Sequence, residues 1–358
     1  MSLLLRHLGR EIYYSIALVF FALIMLFAFM DLIHELSVMG EGQYHLGYVL
    51  LFVTLTIPGH VYGLFPVAVL IGTILALVQM SANSELTVYR ASGTSVKQLV
   101  GALFKIGLPL VILSFVISEF IAPPSERVAQ QLRMKARNAQ VTLKEFRSGV
   151  WVKDERSFVN VKNVMPDTSL LNIDIYRFDE TYHLQAITNA KRADFIEPGR
   201  WRLEGVLETR FSKGGVTTHS QSAQEWSSAL HPGIFSVLLV SPDQMSALDL
   251  FQYTEHLKDN RQKSVRYEIA MWNKLVYPLA VMVMMILALP FASYHRRAGG
   301  SSAMVFMGIV LGLAFHFFGR LFASLGALND WQPFVSATAV SSMFLLLGIM
   351  MLWWTERR

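Results

Sequence analysis

Two long stretches nearly free of charge flank a charged middle, and this arrangement limits the 358-residue chain more than any other feature in it. Its 31 Lys and Arg and 26 Asp and Glu are unevenly spread: 39 of them fall between Glu119 and Glu268, 10 lie in residues 1–118 and 8 in residues 269–358. Charged residues make up 16% of the chain, against about 25% in an average soluble protein. The flanks lack the polar surface that a water-exposed globule needs, and the middle is too charged to be buried beside them. A single soluble domain, a disordered chain and a protein held by one anchor helix are all excluded.

A bilayer core of about 30 Å takes roughly 20 apolar residues in a helix. Tyr13–Met30 is the first such run, and no small-residue cleavage site follows it before Asp31, so it reads as a retained span rather than a signal peptide. The uncharged stretch from Gly42 to Ser84 is too long for one span; a break at Pro58-Gly59 leaves Val61–Met80 as the second. The third, about Val100–Ile121, is expected to stop at Pro123-Pro124. Ile269–Ala292, Ser302–Leu325 and Pro333–Trp354 supply three more. Lys and Arg collect on one side: Arg6 and Arg10, Arg90 and Lys97, Arg296 and Arg297, Arg357 and Arg358. The short opposite loops hold Glu35, Glu41 and Asp330. That bias places both termini in the cytoplasm and the polar middle outside, in the periplasm of a bacterial cell. The net charge of +5 reflects this topology and argues for no nucleic-acid partner. With no cysteine, the middle must be held by its own core.

That middle opens on an amphipathic helix, about Ser125–Gln140, and then changes to a period of two. Val150-Trp151-Val152, Phe158–Val161, Leu171–Tyr176 and Trp201–Val206 read as strands separated by turn residues at Asp154-Glu155, Pro166-Asp167, Asp179-Glu180, Pro198-Gly199 and Gly214-Gly215. Short strands at such intervals suggest a β-sandwich or jelly roll, and a second amphipathic helix, about Ser246–Asp259, leads back to the membrane. The expected fold is an α-helical membrane protein of six transmembrane helices, three plus three, with an inserted periplasmic all-β, jelly-roll-like domain. Its parts are residues 1–122, with a cytoplasmic helix near 82–98, then 123–264 and 265–358.

The chemistry of catalysis is missing. There is no G-x-x-x-x-G-K-[ST] phosphate loop, His34-Glu35 lacks the second histidine of a zinc-protease helix, and no G-x-S-x-G occurs. Without cysteine, and with its ten histidines scattered, the chain is expected to hold neither catalytic residues, a metal nor a cofactor of its own. Transporters, channels and assembly scaffolds remain.

The loop after the second span, Ser81–Ser95, carries a short helix in which Ser84 is the expected N-cap, Glu85 lies in the first turn and Gly93 ends it. Such a helix presents Glu85, Tyr89 and Arg90 to a protein partner, or serves only as a capped connector. Gly59-x-x-x-Gly63 and Gly308-x-x-x-Gly312 permit close helix approach, at the interface with a paired subunit or within the chain. Met282, Met284 and Met285 read as lipid-facing or adaptable packing.

Ser84-Glu85-Leu86 with Ala91-Ser92-Gly93, placed after the second span, resembles the coupling segment of the LptF/LptG family of lipopolysaccharide-export permeases. The similarity continues at Gly149-Val150-Trp151, Lys153-Asp154, Ile175-Tyr176, Trp201-Arg202-Leu203, Met271-Trp272, Lys274 and Pro278-Leu279, nearest the LptG branch of that family. It covers essentially the whole chain. The resemblance implies a permease subunit, not an enzyme, of an ATP-driven ABC transporter in the Gram-negative inner membrane. Its partners would be an LptF-like permease, an LptB-like ATPase dimer that binds the ATP and Mg, an LptC-like single-span protein and a periplasmic LptA-like bridge. Glu85, with Tyr89, Arg90, Ala91 and Gly93, would couple to the ATPase. Lipopolysaccharide carries phosphates, and intramembrane cations usually face a cavity or a partner; Lys274, Arg133, Arg320, His34 and His60 are the candidates for its headgroup. The bland alternatives are snorkelling to the interface or an internal ion pair, such as Arg320 with Asp31 or Glu119. In the stretch Asp31–Val38, where well-studied relatives carry basic residues, His34 is the one side chain able to be cationic. A mechanotransmission scaffold and an ion-coupled secondary transporter, the latter from Asp31, His60 and Arg320, are the other functional classes left open.

Overall fold

The computed structural model describes residues 2–91, 93, 95–136, 141–142, 150–154, 156–164, 169–197, 199–212, 215–228, 230, 242–259, 262–294 and 301–356. Helix α1 spans Ser2–Leu36, α2 Leu46–Ala82, α3 Glu85–Ala91 and α4 Val96–Val116. A π-turn, Ile117–Ile121, joins α4 to α5, Ala122–Ala136. After the strands come α6 (Ala247–Asp259), α7 (Val265–Tyr294), α8 (Ser301–Leu328) and α9 (Pro333–Glu356). Among the described residues, six helical stretches, α4 to α5 counted as one, are long and apolar enough to cross a membrane.

Helices α2 and α7 form the middle of the bundle, with 72% of each apolar window buried, against 11% for α1 and 17% for α8. A helix apolar on every side belongs in such an interior. The outer helices leave large apolar side chains such as Phe21, Phe317 and Leu346 exposed, as a hydrocarbon environment requires. Met284 and Met285 are fully buried, so this pair packs inside rather than facing lipid. Gly107 of α4 makes room for the Met282 and Met285 sulfurs, which lie 2.6 and 2.8 Å from where its Cβ would be.

Two expected helix breaks are absent. Helix α2 runs through Pro58 and Pro66 without interruption. Each proline removes one rung of the ladder, but packing from several sides holds the rest, as in other helices with no water to compete for the backbone. The third span likewise passes Pro123-Pro124 and continues from Lys97 to Ala136. There the π-turn places both prolines in the first turn of α5, where a missing N–H is tolerated.

The described residues of the middle form seven strands: β1 (Val141–Thr142), β2 (Val150–Asp154), β3 (Ser157–Val164), β4 (Leu170–Phe178), β5 (Leu184–Glu197), β6 (Arg200–Ser212) and β7 (Gly215–Ser227). Strands β1 and β2 share one edge of β3, and from β3 onward each strand pairs antiparallel with the next. Val159 pairs with Ile175, Val161 with Ile173 and Ile173 with Ala190, which builds the inner face. The fully buried Trp201 closes that core between Phe195 and Trp226, its Nε1 donating to the Leu230 carbonyl at 2.8 Å. Alternation along β6 shifts by one at Gly205, which takes φ +64; Val206 is thereby buried where strict alternation would bury residue 205. At the β4–β5 turn, N–H donation from His183, then the Thr181 hydroxyl and N–H, holds the Asp179 carboxyl below the ordinary carboxylate range.

Candidate functional site

At the end of the bundle next to the β-domain the helices part around a cavity of about 1620 Å³, walled by α1, α2, α5, α7, α8 and α9. This exceeds the roughly 300–1,000 Å³ of ordinary small-molecule sites. Residues three and four apart share a helix face, and that spacing aims each wall. On α7 the sequence positions 266, 270, 273 and 277 bring Arg266, Ala270, Asn273 and Tyr277 to the cavity, with Lys274 beside them. On α8, Gly312, His316, Arg320 and Ala323 follow the same rule. The half of the cavity farther from the β-domain is apolar, with Leu18, Leu23 and Leu26 of α1 and Leu313 of α8.

Most acidic groups in this wall are already engaged. Glu35, 2% exposed, receives the Arg133 guanidinium at 3.0 Å and the Tyr44 hydroxyl at 2.8 Å. Arg133 also lies over the Phe52 ring, 5.3 Å from its centre. Asp31 accepts from His60 Nε2 at 2.5 Å and from Thr56 at 3.2 Å. Glu126 accepts from Gln130 and Gln244 at 3.1 and 2.9 Å. The cations Arg266, Lys274 and Arg320 pair with no carboxylate among the described residues. Lys274, only 4% exposed, donates to the Asp243 carbonyl at a long 3.5 Å and sits 4.8 Å from the Tyr62 ring centre. The carboxylates of Glu119, Asp243 and Asp249 attract it from beyond ion-pair distance, so the burial of this ammonium ion is only partly compensated.

The chain returning from the β-domain crosses the cavity rim at Pro242–Gln244 before entering α6. The Glu119 carboxylate, on the π-turn, accepts the Ala247 and Leu248 N–H groups at 2.8 and 3.3 Å. Ser246 Oγ accepts that of Asp249 at 3.1 Å. Three otherwise unsatisfied donors at the start of α6 are thus met, and Arg127 adds an ion pair to Asp249. The third span and the return segment are tied together at the threshold between cavity and β-domain.

All five candidate headgroup residues line this one cavity, and they separate on contact. Lys274 and Arg320 are open to a ligand's charge, His34 is exposed, while Arg133 and His60 are held by Glu35 and Asp31. Asp31 and Glu119 are taken by His60 and by α6, so the suggested pairing of Arg320 with either does not occur. Arg266 was missed; its helical spacing to Ala270, Asn273 and Tyr277 was the readable sign. Gly308 and Gly312 pack against Ile74 and Val67 of α2, within the chain rather than against a paired subunit.

At the opposite end, Glu85 occupies the first turn of α3, and Gly93, just past its end, takes φ +87. Ser84 does not act as an extended N-cap. It takes φ +61 and ends α2 in the left-handed conformation, and one residue cannot adopt both signs of φ. Ser95 provides a capping box with Gln98 at the start of α4. Backbone positions of Tyr89 and Arg90 lie in α3; their side chains fall outside the described residues.

A profile of the family described as lipopolysaccharide export system permease LptF/LptG matches residues 6–354. The lipopolysaccharide export system permease protein LptG of Escherichia coli K12 is 32% identical over 349 residues, 97% of each chain. The LptG protein of Haemophilus influenzae is 29% identical over 354 residues, 99% of this chain and 98% of that protein. With six apolar helices of spanning length, an inserted antiparallel β-domain and this match along nearly its whole length, the chain belongs to the LptF/LptG family of lipopolysaccharide export permeases.

Proposed function

We propose that this chain is the LptG-type half of an ATP-driven machine that draws lipopolysaccharide from the inner membrane and passes it across its periplasmic β-domain. The observation that carries the reading is the set Arg266, Lys274 and Arg320, three cations on the wall of one large cavity, none of them in an ion pair among the described residues. Two arginines can each grip a phosphate by two parallel N–H bonds, and Lys274 supplies a point charge that burial has stripped of water. Acyl chains fit the apolar half of the cavity. An LptF-like permease would complete the assembly, an LptB-like ATPase dimer would bind ATP and Mg and act through α3, and LptC-like and LptA-like proteins would carry the lipid onward. The termini and α3 are then cytoplasmic.

Lys274→Gln tests the headgroup reading, because the amide keeps a hydrogen bond to the Asp243 carbonyl and removes only the charge. Bound lipopolysaccharide per purified complex is expected to fall about tenfold, the loss of one charge-assisted contact; an unchanged yield would remove Lys274 from the site. Glu85→Ala is expected to leave the complex assembled and to lower lipid moved per ATP at least about fivefold. Wild-type coupling in that variant would end the assignment of α3 as the energy input. A second reading, ion coupling, draws on the Asp31–His60 pair within the cavity. Transport by membranes lacking the ATPase would favour it, and no transport there supports the ATP-driven account.

A further inference from the structure

The coupling carboxylate is not free in the folded chain. Glu85 Oε2 lies 2.9 Å from Nε2 of His7, 78 residues earlier on α1, and its Oε1 lies 3.5 Å from the Asn83 side-chain amide. Helix α3 is held on one side by Leu86, 5% exposed, which joins a core with Leu8, Ile12, Leu99 and Leu103. Its other side is open: Val88 is 66% exposed, and Ala91, three residues further on, is exposed too. The Glu85 side chain, 35% exposed, stands at the border of these two sides, with His7 fixing which way it turns.

Helix α1 differs from three other walls of the cavity, α2, the third span and α7, whereas α8 and α9, like α1, have no proline past their first residue. It runs unbroken for 35 residues with no proline, about 50 Å of rod. Helix α2 contains Pro58 and Pro66, the third span contains Pro109 and a π-turn, and α7 contains Pro278 and Pro290. Those are the places where a helix bends and absorbs displacement. At its far end α1 carries Asp31 and Glu35, which hold His60 and Arg133 on the cavity wall.

We propose that His7 is the positioning residue for the Glu85 carboxylate, and that their contact fastens α3 to α1, so that a push on α3 reaches the cavity through a stiff wall. This rests on the reading of α3 as the energy input. In this account loss of His7 spares ATP hydrolysis and wastes it.

The test uses the complete permease–ATPase complex in proteoliposomes, measuring ATP turnover and lipopolysaccharide released to an acceptor. His7→Ala is expected to keep turnover within about twofold while lipid released per ATP falls about two- to fivefold, the range for one partly exposed ion pair. His7→Gln, whose amide can donate to the same carboxylate, restores most of that ratio. In the Glu85→Ala background, His7→Ala adds nothing, since contacting residues are not additive. An unchanged ratio in His7→Ala, failure of His7→Gln to restore it, full additivity with Glu85→Ala, or loss of the ATPase from the complex would each overturn the proposal. If Glu85→Ala itself keeps wild-type coupling, the parent reading fails; if Glu85→Ala uncouples and His7→Ala does not, this inference alone fails.

Discussion

Replacing Arg133 with alanine is expected to destabilise the bundle by about 3–5 kcal/mol, because it strands a buried carboxylate. Glu35 is 2% exposed, and without Arg133 its remaining side-chain partner among the described residues is the Tyr44 hydroxyl. The loss also uncovers Phe52, over which the guanidinium lies. The measurement is thermal unfolding of the purified protein, followed by tryptophan fluorescence. The double variant Arg133→Ala with Glu35→Gln removes both charges and is expected to recover most of the stability, since a neutral amide is far less costly to bury. That double variant separates two roles that a single substitution would confuse. If Arg133 serves chiefly as the counter-ion of Glu35, the rescued protein retains its lipid through Arg266, Lys274 and Arg320. Loss of lipid from a stable double variant would instead place Arg133 on the headgroup.

The second large effect is expected at Gly72, in the middle of α2. A Cβ at this position would lie 2.6 Å from the Ile16 Cα and 2.8 Å from its N, so the obstacle is the backbone of α1 rather than a movable side chain. Gly72→Leu must push α1 and α2 apart, at a cost of at least about 3 kcal/mol by the measure of overpacked cores. Its neighbours Ile16, Val69 and Leu70 are all buried, so the separation opens the core as well. The expected result is a protein that aggregates or unfolds on extraction from the membrane. Gly63→Leu is the matched control, because a Cβ there meets nothing within 4 Å; that variant should stay folded. Equal behaviour of the two would contradict the close approach of α1 and α2.

What could be read beforehand and what could not divide along physical lines. Spans and strands show in one dimension, through run length and period, so Tyr13–Met30 and Trp201–Leu203 announce themselves. Proline misleads in this setting. Pro58 and Pro123 read as breaks by the rules for water, whereas here packing holds α2 together and a π-turn shifts the register ahead of α5. Pairing is a three-dimensional fact. Nothing in the local sequence says that Asp31 belongs to His60, Glu35 to Arg133, or Glu119 to the start of α6, 128 residues away. Those contacts matter most for the site, because they engage Asp31, Glu35 and Glu119 and leave Arg266, Lys274 and Arg320 outside any ion pair among the described residues. Of these three, Lys274 and Arg320 were conspicuous as charges within apolar runs, while Arg266 hid at the edge of the charged middle.

The central claim is that the cavity beside the β-domain holds lipopolysaccharide. Gly319 lines that cavity, and a Cβ added there meets no atom within 4 Å, which leaves room to start a small photoreactive side chain. Val335 of α9 is half exposed and lies outside the cavity wall, which makes it the reference position. Irradiating native membranes that carry the whole complex should crosslink lipopolysaccharide at Gly319 well above the level at Val335, and adding Lys274→Gln should lower the yield at Gly319 alone. Equal crosslinking at the two positions, or a yield at Gly319 indifferent to Lys274, would contradict the account.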